Sequence, residues 1–173
     1  MKKLSAYLWG PFSRDGLTVV LIVFLLDQAS KLWLLYGFDL AARGRVPVLP
    51  FFDLVLVWNK GISYGLFAQD GPVGQMVLLA LKVIVGVGLW AWISQAENRL
   101  TAMSLGLIVG GAAGNAVDRL AHNAVVDFAL LHLTTSSFTF NWYVFNIADV
   151  AIVAGVAGLL YDTFLGGRAA KAP

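Results

Sequence analysis

Four stretches of this chain, at about residues 17–36, 73–93, 100–117 and 144–164, are predominantly apolar. An α-helix rises about 1.5 Å per residue and the hydrocarbon core of a bilayer is about 30 Å thick, so each stretch is long enough to cross. Lipid offers no partner for backbone N–H and C=O groups, and a helix satisfies them within itself. The pattern therefore predicts an all-α membrane protein with four transmembrane helices. At 173 residues there is room for that one membrane domain, 1–173, and not for a second. The mean hydropathy of +0.77 agrees. Charged residues are 13% of the chain, roughly half the share in a globular protein, so each charge can be weighed singly.

The connections are unequal. Residues 37–71 are too many for a tight helical hairpin. Within them VPVLPFFDLVLVWN, at 46–59, is β-branched and aromatic around Pro47 and Pro50, and LVLVW predicts a strand. Gly61 and Gly65 then permit tight or left-handed backbone beside Asn59. The segment reads as a small extracytoplasmic β-cradle between helices 1 and 2, or as an ordinary loop with aromatics at headgroup level. SQAENR at 94–99 is a short polar turn, and 119–143 is a second external segment. Pro11, Arg14, Asp15 and Gly16 interrupt the basic start, so residues 1–16 read as a retained cytoplasmic lead rather than a signal peptide. Lys2, Lys3, Arg14, Arg99, Arg168 and Lys171 lie on the side of the termini, against Arg43, Arg45, Lys60 and Arg119 opposite. That bias puts both termini in the cytoplasm and both long segments outside.

Composition removes several kinds of chemistry. The formal charge of +2 comes without a basic cluster, so nucleic acid is not an expected partner. There is no cysteine, hence no thiolate nucleophile or thiolate metal site. His122 and His132 carry no HExxH spacing, and no metal or cofactor is expected. No serine stands in a motif with a base.

What remains is a set of polar residues at costly depths. Asp27 and Lys31, at i,i+4 in the first span, can pair on one helix face. Lys82 in the second span either snorkels or faces the bundle. The third span is rich in small residues, with Gly106, Gly110, Gly111 and Gly114 letting neighbouring backbones approach. At its outer end Asn115 and Asp118 are i,i+3, and the adjacent Arg119 offers Asp118 a structural partner. Asp127 lies in the apolar AVVDFAL, and Asn146 and Asp149 are i,i+3 at the outer start of the fourth span. Two carboxylates meeting there could share a proton, since like charges at hydrogen-bond distance cannot both ionise cheaply. Such a pair can activate water against a peptide carbonyl. Carboxylates near a membrane face also occur in carriers and proton relays, so a small transporter or channel subunit is the alternative.

Five short motifs narrow the choice: DQASK at 27–31, NKGISYGLF at 59–67, GGAAGNAVDR at 110–119, VVDF at 125–128 and FNIAD at 145–149. In this order, between four spans, they resemble the bacterial lipoprotein signal peptidases, the type II signal peptidases, over essentially the whole chain. The resemblance implies an intramembrane aspartyl endopeptidase of the bacterial inner membrane, with its site near the periplasmic face. It would cleave diacylglyceryl-modified prolipoproteins on the amino side of the lipid-modified cysteine, among membrane lipid. It implies Asp127 and Asp149 as the catalytic pair, and Asn59, Asn115, Arg119 and Asn146 as substrate-binding residues. Asp27, Lys31, Asp118 and Gly114 are left as supporting residues. A globomycin-like cyclic peptide is implied as inhibitor. Tyr64 departs from the family's commoner phenylalanine.

Overall fold

A computed structural model describes residues 8–60 and 84–166 of the chain. Helix α1 (Ser13–Leu32) continues through a wider π-helical turn, Trp33–Gly37. A single turn, α2 (Leu40–Arg43), follows, and strands β1 (Val46–Leu49) and β2 (Phe52–Asn59) come next. Helix α3 (Ile84–Ser94) leads into α4 (Arg99–His122). Strands β3 (Val125–Thr134) and β4 (Thr139–Asn141) precede α5 (Ile147–Tyr161).

Among the described residues three helices are long and apolar enough to cross a membrane: Ser13–Gly37, Arg99–His122 and Ile147–Phe164. They match the first, third and fourth expected spans. The second, 73–93, is described only over its final part, in α3; Lys82, Tyr64 and most of NKGISYGLF lie outside the described residues. Apolar side chains such as Leu25 on α1 and Val153 on α5 point outward, as lipid-facing positions do. Helix α4 outruns its expected end at 117 by a full turn because Asn123, in the left-handed region at φ 55°, receives it as a C-cap. Asp118 and Arg119 therefore sit on a helix and not in a loop.

Helix α4 lies between the other two. Gly110 faces α1, where a Cβ would stand 2.8 Å from the Val20 carbonyl oxygen. Gly111, one residue on, faces α5, where a Cβ would stand 2.5 Å from the Ala148 carbonyl oxygen. Adjacent glycines thus serve two different neighbours, which is how small residues bring helices together without a hydrophobic driving force. The contacts advance together along α1 and α4 (Gly16 with Gly106, Val20 with Gly110, Asp27 with Gly114), so these helices are parallel. Along α5 they run backwards (Ala148 with Gly111, Gly155 with Ser104), so α5 is antiparallel to α4.

The sheet departs from expectation. Its four antiparallel strands run in the order β1-β2-β3-β4. Among the described residues, β1 and β2 come from the segment between helices 1 and 2, and the other half comes from 125–141. VVDFAL, at 125–130, is the first part of β3, where Asp127 is in register with Val57. Its β-branched and apolar residues suit a strand buried along positions 125–130. A small core of Leu34, Leu40, Phe128 and Ala129, flanked by Phe38, Phe52 and Phe145, joins the sheet to the end of α1. Buried Asp53 on β2 is held by Arg45, and His132 of β3 approaches its other oxygen to 3.2 Å.

Candidate active site

Asp127 enters from the sheet and Asp149 from the first turn of α5. Asn146 caps that helix: its Oδ1 accepts the Asp149 N–H at 2.9 Å, while Asp149 Oδ2 accepts the Asn146 N–H at 3.2 Å. This reciprocal capping box satisfies two amides that a helix start leaves orphaned. With its Oδ1 committed, the Asn146 amide turns Nδ2 inward. There it donates to Asp127 Oδ1 at 2.6 Å and to Asn115 Oδ1 at 3.1 Å. Asn115 Nδ2 donates to Asp149 Oδ1 at 2.9 Å, and Asn59 Nδ2 to Asp127 Oδ2 at 3.0 Å. The two carboxylates are thus bridged by Asn146, and each has a further asparagine donor of its own.

Asp127 is 1% exposed. Burial pushes its carboxyl up to about 6; the Asn59 bond opposes this, the Asp149 charge adds to it, and Asn146 and Lys31 pull it down. Asp149 is half-buried. Arg119, also half-buried, donates to the Asn115 carbonyl at 3.3 Å and lies within electrostatic reach of Asp127, Asp149 and Asp118.

Beneath the pair is a buried ionic cluster. The expected Asp27–Lys31 pair forms at 2.7 Å. The partner suggested for Asp118 was Arg119; the ion pair it makes is with Lys31, at 2.8 Å, a cation from another helix. Lys31 also donates to Asn115 Oδ1 at 3.1 Å. Asp27 Oδ1 accepts the Ala148 N–H at 3.0 Å, and Asp118 Oδ2 accepts the Val126 N–H at 3.1 Å. Gly114 packs on the Asp27 carboxylate so closely that a Cβ would collide with it. Removing one partner of such a buried pair costs roughly 3–5 kcal/mol, since the other charge is left unpaired.

All ten residues singled out in the sequence therefore fall in one region. Gln28 was the omission: its Nε2 donates to Asp118 Oδ1 at 3.0 Å and to the Gly114 carbonyl at 3.1 Å. A carboxamide beside Asp27 in an apolar span was the signal. Among the described residues no group of three or more His, Cys, Asp or Glu could hold a metal ion.

Comparison with known proteins gives one answer. The model of the family described as signal peptidase (SPase) II matches residues 19–165. The lipoprotein signal peptidase of Rhodopseudomonas palustris (strain TIE-1) is 59% identical over 160 residues, covering 92% of this chain and 98% of that protein. That of Nitrobacter hamburgensis is 57% identical with the same coverage. Among solved structures, a bacterial membrane enzyme determined by the in meso method at 2.3 Å superposes with a TM-score of 0.71. It is 22% identical, with 90% of this chain and 93% of that one covered. Another at 1.9 Å gives 0.70 at 21% identity, covering 91% and 97%. At such identity the likeness is one of fold.

Proposed function

The chain belongs to the signal peptidase II family, and on that footing we propose which of its residues perform the cleavage and how they stand in the membrane. It is an aspartyl endopeptidase that removes the signal peptide from diacylglyceryl-modified prolipoproteins. Membership disposes of the transporter alternative.

In our reading Asp127 and Asp149 are the catalytic dyad. The observation that carries this is the Asn146 bridge, which holds both carboxyls to one amide side chain and one backbone N–H. Asp127, whose proton affinity is raised by burial, holds the shared proton; Asp149, more open, is the ionised base. Asp149 takes a proton from water as its oxygen attacks the scissile carbonyl. The Asp127 proton hydrogen-bonds to the developing oxyanion. Collapse breaks the C–N bond, and Asp149 returns its proton to the departing amine of the lipid-modified cysteine. Asn59 and Arg119 are assigned to the peptide carbonyls. Asn115 and Asn146 stand at the same site and also orient the carboxylates. A globomycin-like cyclic peptide would bind here.

The same reading sets the topology. Asn59 is at the dyad, whereas Ile93 packs beside Gly16 near the start of α1. These two points lie at opposite ends of the bundle, and parallel α1 and α4 need a return between them. That supports four spans in the bacterial inner membrane, with the start of α1 and the end of α5 away from the dyad, and the Lys and Arg bias supports cytoplasmic termini with the sheet and dyad at the periplasmic face.

The test is cleavage of a diacylglyceryl-modified prolipoprotein by purified wild type, Asp127→Asn, Asp149→Asn and Asp118→Asn in detergent, with folding of each verified. The first two should lose turnover by at least about a thousandfold while still binding a cyclic peptide inhibitor. Near wild-type cleavage by both would sink the dyad assignment.

A further inference from the structure

Lys31 takes no part in the chemistry above, yet its ammonium has three N–H groups and three acceptors, and it is 2% exposed. The acceptors are Asp27 Oδ2 at 2.7 Å, Asp118 Oδ2 at 2.8 Å and Asn115 Oδ1 at 3.1 Å. Each leads directly to the dyad. Asp118 accepts the N–H of Val126, the residue before Asp127. Asp27 accepts the N–H of Ala148, the residue before Asp149. Asn115, its oxygen held by the ammonium, has only Nδ2 left to offer, and offers it to Asp149 Oδ1.

We infer that Lys31 is a positioning residue of the cleavage reaction: one buried ammonium ties the backbone ahead of both aspartates and sets the polarity of the amide between them. This rests on the dyad reading of Asp127 and Asp149. Two otherwise unrelated elements, a surface strand and a membrane helix, each deliver a carboxyl to the same point. Each is anchored by a carboxylate one residue upstream, and both anchors converge on Lys31. A structural ion pair needs only Asp27. The third N–H, spent on Asn115, is explained by orientation: turned over, that amide would aim an oxygen at a carboxylate.

The charge acts as well as the hydrogen bonds. Facing Asp127 are the cations Lys31 and Arg119 and the anion Asp149, with the neutral donors Asn59 and Asn146. Removing the Lys31 charge lets Asp127 hold its proton more tightly.

The experiment uses full-length Lys31→Met beside wild type, D127N and D149N, all in detergent and normalised to folded protein. With a diacylglyceryl-modified prolipoprotein, K31M should lose about a hundredfold in kcat. Its KM and cyclic-peptide affinity should stay within about threefold, and the alkaline limb of the pH–rate profile, set by Asp127, should move to higher pH. Wild-type kcat per folded enzyme with an unmoved profile overturns the inference and leaves Lys31 a folding residue. If K31M does not accumulate folded, Asp27→Asn and Asp118→Asn decide. Each keeps an oxygen for its backbone amide but loosens Lys31, so kcat should fall at least about fivefold in both at constant KM. Wild-type kcat in either overturns the inference. Full activity in D127N and D149N would instead mark failure of the dyad reading beneath it.

Discussion

At the scale of single residues, the raised proton affinity of Asp127 has a consequence for stability as well as rate. The folded chain keeps that proton to about pH 6, whereas a carboxyl in the unfolded chain releases it near pH 4. Between these values the native state binds more protons, so stability falls as pH rises through the window. Asp127→Asn removes the charge and should flatten that fall. Thermal unfolding in detergent should show D127N gaining on wild type between about pH 4 and pH 7; parallel curves would deny the burial effect. Asp127 and Asp149 were legible because each sits in a short motif among apolar neighbours. The reach of Lys31 was not. Spacing of i,i+4 reveals Asp27, but Asp118 and Asn115 are brought to it only by the packing of α4 on α1.

Among the elements, the glycines of α4 decide how close the helices come. A methyl group at Gly111 would meet the Ala148 carbonyl oxygen at 2.5 Å and the Ile152 side chain at 2.9 Å. The first is backbone at the start of α5, and it cannot yield without moving Asp149. Gly111→Ala should therefore cost about 1–3 kcal/mol and reduce cleavage more than its loss of folded protein accounts for. Gly86 on α3 is the control: among the described residues nothing stands within 4 Å of its Cβ position, and Gly86→Ala should leave the melting temperature unchanged or slightly higher. Helix existence was readable from apolar length. The end of α4 was not, because it depends on Asn123 adopting a left-handed backbone, which an apolar window does not register. Strand β3 was missed as a strand because six buried positions in a row carry no alternation.

For the molecule as a whole, the arrangement of α1, α4 and α5 fixes which ends share a compartment. The chain has no cysteine, so single cysteines report without background. Arg43→Cys and Ser136→Cys, both exposed and on the dyad side, should react with a membrane-impermeant thiol reagent once the outer membrane is opened. Glu97→Cys, in the exposed turn before α4, should react only after the inner membrane is breached. The reverse pattern would invert the protein. Three helices of the bundle were foreseeable from their apolar runs, but the sheet was only half so, since pairing of β2 with β3 joins segments more than sixty residues apart. Where that sheet meets the membrane helix, Phe145 exchanges backbone hydrogen bonds with Ala129 at 2.8 and 3.0 Å, and the capping box begins one residue later. The carboxylate that closes the box is Asp149, the group assigned to take up a proton in each cycle. A protonated carboxyl accepts the Asn146 N–H more weakly than an ionised one. The joint between the two halves of the molecule is thus slackened and retightened at every turnover, and the enzyme is least firmly braced while the tetrahedral intermediate stands.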